Sequence, residues 1–232
     1  MTTMAVAAPN EIKVFSDELA NEGEHNLETH INKAWRPSSR AAFSGAPLQL
    51  MPEYSYGIWK DWEFSVQLPV ALMQSRLRSS GFRLELQYIA PHDEDDGFYW
   101  GWNAEAGRLM REGEAQIWTA EWIPILGLRQ GRWHWIANPA LVRALSGPQR
   151  RVNFEPAVKV SYNAFGRHHF GLEYYEEAGP LAHLLPTGQR ERTAYLVWDG
   201  KLGKSDVHLG LGRGLNPNSD GLVFKTIFES AF

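Results

Sequence analysis

Apolar and polar residues alternate with a period of two along almost the whole chain, and no other feature constrains the fold as much. Side chains of a β-strand project to opposite faces in turn, so strict alternation marks strands with two unlike sides. Twelve such segments follow the N-terminal region, at about 25–35, 48–58, 62–73, 81–90, 97–108, 115–127, 132–142, 151–163, 168–176, 190–200, 205–213 and 221–232. Turn residues separate them. Most run 9–13 residues, longer than the usual soluble strand of about 5–6. They match the roughly 9–11 residues with which a tilted strand crosses a bilayer. No helical spacing persists beyond two turns. The pattern predicts an all-β fold, an antiparallel up-and-down transmembrane barrel of about 12 strands with a polar, partly occluded lumen.

One face of the segments is apolar, as in Phe82, Leu84, Leu86 and Tyr88, or Phe170, Leu172 and Tyr174. The other is polar and often ionisable. In a soluble sandwich the apolar face would be the core, whereas in a membrane barrel it meets lipid and the polar face lines the lumen. Tryptophan decides between them here. The chain has 10 Trp, nearly all on the apolar face and many near segment ends, where amphipathic rings favour a membrane interface. Trp62, Trp100, Trp102, Trp133, Trp135 and Trp198 are the expected interfacial aromatics. A soluble all-β ligand-binding module, lipocalin-like with its aromatic face inward, is the alternative.

Composition excludes little beyond this. A net charge of -4 argues against a nucleic-acid partner, and without cysteine there is no disulfide framework or thiolate site. Residues 1–10 read as a disordered tail or residual export signal, Ala5-Val6-Ala7 having the small-x-small form of a cleavage site. Residues 11–24 form an N-terminal extension, plug or partial strand, and 25–232 the barrel. Connections alternate in length. The short turns are 59–61, 91–96, 129–131, 164–167 and 201–204, facing mostly longer loops at 36–47, 74–80, 109–114, 143–150, 177–189 and 216–220. Pro52, Pro69, Pro124, Pro139 and Pro156 fall inside proposed strands, where each removes a ladder donor, so they are expected at bulges or strand ends.

The final segment, Leu222–Phe232, places Phe224, Phe228 and Phe232 on one face and ends the sequence on an aromatic residue. It resembles the closing strand of outer-membrane barrels. With EIKVFSDELANEGEHNLETHINKAW at 11–35, EYSYGIWKDWEFSVQLPVAL at 53–72, WHWIANPAL at 133–141, HFGLEYYEEAGPL at 169–181 and HLGLGRGLNPNSDGLVFK at 208–225, the chain resembles uncharacterised Gram-negative outer-membrane barrels of the "transporter" or phenol-degradation meta-pathway type. The resemblance implies export to the outer membrane and uptake of small, apolar or aromatic solutes. It also implies contact with outer-membrane lipid and lipopolysaccharide, and reading of Phe224, Phe228 and Phe232 by the barrel-assembly machinery. It supplies no catalytic residue and no cofactor.

The site expected from the pattern is therefore the lumen wall. Glu63, Arg83, Glu85, Glu105, His134, Asn138, Glu155, Lys159, Glu173 and His208 are the residues that would set selectivity or zip the interior shut. Ser161 and His169, polar-face residues on neighbouring segments, are the one pair that a lipid hydrolase could use. No metal site is expected: His168 and His169 point to opposite faces, and no His-x-x-x-His pair occurs.

Overall fold

A computed structural model describes residues 12–35, 48–73, 76–109, 117–147 and 150–232. The N-terminal tail, the 36–47 loop and the tip of the 109–114 loop lie outside the described residues. The strands are β1 (His25–Trp35), β2 (Leu48–Trp59), β3 (Trp62–Gln67), β4 (Val70–Met73), β5 (Arg76–Ser79), β6 (Gly81–Ile89), β7 (Gly97–Leu109), β8 (Ile117–Gln130), β9 (Trp133–Ala144), β10 (Val152–Phe165), β11 (His168–Glu177), β12 (Gly179–Pro180), β13 (Glu191–Leu202), β14 (Ser205–Gly214) and β15 (Leu222–Ala231). Brief breaks split three of the walls, so that β3 with β4, β5 with β6, and β11 with β12 each act as one strand. The result is a ring of twelve antiparallel strands. Each pairs with its sequence neighbour, and β1 pairs with both β2 and β15. Closure leaves no exposed edge to recruit another chain.

The alternation settles which face is which. Leu172 is 54% and Leu196 67% exposed on the outside of the ring, while Gln67, Asn103 and Lys225 are fully enclosed inside. This overturns the lipocalin-like arrangement, in which the large apolar residues would be the enclosed ones. No helix among the described residues is long and apolar enough to cross a membrane; a barrel crosses with strands.

Two-residue turns join β2 to β3, β8 to β9, β10 to β11 and β13 to β14 at one end of the barrel. Each carries a residue in the left-handed region, Asp61, Gly131, Gly166 or Gly203, as tight hairpin turns require. The outward aromatics concentrate at this end. Trp62 packs on Tyr88 and Trp102, and Trp133 on Trp135 and Tyr162. The ring of Phe232 stacks on His25 there, and its N–H donates to the His25 carbonyl. At the opposite end the expected 74–80 loop is partly strand. β5 pairs with β4 in a hairpin, and the break falls instead at Ser80, just before Gly81 with φ 128°.

The prolines are not where ladder chemistry alone would put them. Pro52, Pro124, Pro139 and Pro156 sit in the middle of β2, β8, β9 and β10, and Pro69 sits in the break between β3 and β4. Pro139 faces Pro156 directly. The strands survive because the lost donors point at interrupted ladders. The β8–β9 pairing stops at Trp122 opposite Leu141 and resumes at Leu126 opposite Ala137, which leaves the Pro124 and Pro139 level without rungs. The β10 pairing passes from β11 at Ala157 to β12 at Phe154 across the Pro156 position.

Candidate functional site: the occupied lumen

Residues 12–24 run across the inside of the ring and are held by inward side chains from most of its wall. Lys225 on β15 donates to the Ile12 carbonyl at 2.8 Å, and Lys13 donates to Glu28 on β1 at 2.6 Å. The amide of Asn138 on β9 takes Phe15 in both directions, accepting from its N–H at 2.8 Å and donating to its carbonyl at 3.0 Å. Asp17 receives Arg129 on β8 at both carboxylate oxygens and meets His92 at 2.8 Å. Gln87 on β6 donates to the carbonyls of Ser16 and Glu18, and the Ala20 N–H donates to Glu63 on β3 at 2.6 Å. The segment then turns along the end of β2, where a side chain at Gly57 would collide with the Asn21 carbonyl. These contacts satisfy backbone that would otherwise be buried unpaired. They also make the interior less purely polar than the alternation suggests. Phe15 packs among Ile89, Tyr99, Ile123, Ile125 and Ala140, and Val14 packs against Ile136 and Ala157.

Two charge networks flank the segment. On one side Arg83 donates from Nε to Gln67 at 2.6 Å and pairs with Glu105 at 2.7 Å, while Gln67 bridges Glu53 and Glu85. Asn103 also donates to Glu85. On the other side Lys225 donates to Glu173 and, at 2.9 Å, to Tyr175. Lys159 reaches Asp199 at 2.9 Å and Glu173 at 3.5 Å, and His208 Nδ1 lies against Asp199. His134 lies 2.8 Å from the Tyr99 hydroxyl. Glu155 is enclosed opposite Ala140. All ten residues expected on the lumen wall thus face inward, but they belong to separate groups, and Asn138 and Glu63 serve to hold residues 12–24.

The alternation puts Lys225 on the polar face, but the sequence does not single out Asp17, Arg129 or Tyr99, which also organise this interior. Lys225, Asp17, Arg129 and Tyr99 join strands or segments far apart in the chain, and only the inward parity of the three strand residues is visible beforehand. Ser161 and His169 both face inward, but no hydrogen bond joins them. Across from Ser161 stand His134 and Gly171, and across from His169 stand Asn163 and Asp199. Glu28, His30 and Glu53 form an enclosed cluster whose ligand-type atoms lie within 4.8 Å of one another.

Comparison with solved structures assigns the architecture. An outer-membrane channel, COG4313, from Pseudomonas putida F1 superimposes with a TM-score of 0.67 at 12% identity, covering 96% of this chain and all of that one. The KdgM porin gives 0.57 at 9% identity over 89% and 99% of the two chains. LpxR from Salmonella typhimurium gives 0.51 at 9% identity over 89% and 100%. The chain has the fold of outer-membrane β-barrels. No protein-family model and no curated protein matches its sequence.

Proposed function

We propose that this protein is an outer-membrane channel or transporter of a Gram-negative bacterium. In this reading it passes small molecules through or beside a lumen that residues 12–24 narrow. The observation that carries the reading is the closed ring itself, apolar and aromatic outside and charged inside, an arrangement that suits lipid around it and solute within. Its likeness to a channel and a porin supports the same reading. So does the crowding of Trp62, Trp100, Trp102, Trp133, Trp135 and Trp198 toward the short-turn end, which fits an aromatic belt at one membrane interface. Phe224, Phe228 and Phe232 lie on the outer face of the closing strand, where assembly machinery and lipid would meet them. A preference for small, apolar or aromatic solutes rests on the resemblance to the phenol-degradation type of barrel alone. A hydrolase gains no support from Ser161 and His169, because the hydrogen bond that would activate the serine is missing.

Detergent-refolded protein should show β-type circular dichroism and heat-modifiable migration, and should give small conductance steps in a planar bilayer. A protein that remains soluble and monodisperse without detergent would sink the membrane reading, and a folded barrel that is silent and impermeable would sink the channel.

A further inference from the structure

We propose that Glu28, His30 and Glu53 form a binding site for a first-row divalent transition-metal ion, with Zn²⁺ as the type, on the inner wall between β1 and β2. The first observation is electrostatic. Glu28 pairs directly with Glu53 on one side and with Glu229 on the other, placing three carboxylates side by side across three strands. Like charges directly opposite one another destabilise a sheet, and inside a barrel the repulsion is poorly screened. Lys13 donates to both oxygens of Glu28, to Oε1 at 2.6 Å and to Oε2 at 3.2 Å, and Asn26 donates to Glu229. Oε2 of Glu28 and Oε2 of Glu53 turn toward the third member, His30.

The second observation is that ring. His30 is 1% exposed, and neither of its nitrogens makes a hydrogen bond among the described residues. Its Nε2 lies 3.5 Å from Glu28 Oε2 and 3.4 Å from Glu53 Oε2. Those separations exceed the roughly 2.7–3.2 Å of a hydrogen bond. They match the spacing of about 3.3–3.4 Å between donors that each sit about 2.0–2.1 Å from one tetrahedral ion. One imidazole and two carboxylates suit Zn²⁺ and its neighbours rather than the all-oxygen preference of Ca²⁺ or Mg²⁺. Outer partners that fix the carboxylates are in place. Gln67 donates to Glu53 at 3.0 Å, Ser55 sits 3.5 Å from its other oxygen, and Lys13 orients Glu28. Supporting groups of this kind hold ligands in a binding geometry. An ion here would tie β1 to β2 beside the β1–β15 closure and beside the anchor of residue 13.

The test uses the full chain refolded in detergent with Co²⁺, because the enclosed ligands would load slowly afterwards. Expected are one tightly held equivalent, the visible absorption of a four-coordinate Co²⁺ site, and displacement by Zn²⁺. His30→Gln and Glu53→Gln should each weaken uptake by more than about 100-fold, beyond the upper end of what loss of an outer partner costs, while migrating as folded barrels. Equal uptake by wild type and folded His30→Gln would overturn the proposal. So would a folded wild-type barrel that takes up no Co²⁺, which would leave His30 merely lodged between two carboxylates. If the variants fail to fold, cadmium NMR on wild type with nitrogen-labelled histidine decides: coupling to the His30 ring supports the site, and a cadmium signal without it overturns it. These readouts do not depend on transport, so failure here leaves the channel reading standing, and the reverse holds.

Discussion

Lys225 shows how much a single inward residue carries. It is fully enclosed, its ammonium donates to Glu173, Tyr175 and the Ile12 carbonyl, and its stem lies across the position where Gly210 has no side chain. Removing one partner of an enclosed ion pair costs more than the pair contributes, because the survivor keeps its desolvation penalty. Lys225→Met should destabilise the barrel by about 3 kcal/mol, the low end of the range for such changes, since Lys159 still stands near Glu173. Adding Glu173→Gln should return part of that loss. Urea midpoints of the heat-modifiable species would measure both, and equal midpoints for wild type and Lys225→Met would refute the assignment. A steric counterpart lies on the opposite wall. The ring of Tyr99 covers Gly127 so closely that an added Cβ would fall 1.9 Å from it. Overpacking of this kind costs roughly 1–3 kcal/mol, so Gly127→Ala should lower the midpoint, and Tyr99→Leu in the same chain should recover it.

At the scale of elements, alternation made the twelve walls legible, because an outward Leu and an inward Glu differ at every second position. It could not show where a ladder fails. The Pro124 and Pro139 level, or the break at Ser80, depends on which neighbour each N–H faces, and that is fixed only once the strands are paired. Nor could it show what fills the ring. Ile123, Ile125 and Val197 follow the inward parity, yet their apolar character makes sense only when Phe15 and Ile12 lie against them. The stretch at 11–19 reads as strand-like in sequence, but the backbone partners of residues 12–20 are mostly side chains from the wall. Asp17 and Asn138 supply the most directed of these links. Asp17→Asn with Asn138→Ala should loosen the segment and raise mean single-channel conductance several-fold while the barrel stays folded. An unchanged conductance would show that ions pass elsewhere or that the remaining anchors suffice.

For the molecule as a whole, the balance of charge along the interior sets what could pass. Glu28, Glu53, Glu63, Glu85, Glu105, Glu121, Glu155, Glu173, Glu229, Asp17 and Asp199 face Lys13, Arg83, Arg129, Lys159 and Lys225. Most of these charges are spent on one another. Arg83 is committed to Glu105, Lys225 to Glu173 and Arg129 to Asp17, which leaves the surplus negative. A surplus of one sign in a passage of low dielectric selects by sign, so wild type should pass cations in preference to anions, with small conductance because residues 12–24 occupy the middle. The informative variant should change charge without dismantling a network. Glu18 is exposed within the lumen, and Glu229 is only partly enclosed and accepts a hydrogen bond from Asn26. Glu18→Lys with Glu229→Lys should move the reversal potential in a salt gradient toward anion preference and leave the unfolding midpoint near wild type. A wild type that is already anion-selective, or a double variant whose reversal potential stays put, would mean that the interior carboxylates are structural and that solutes take a path they do not line.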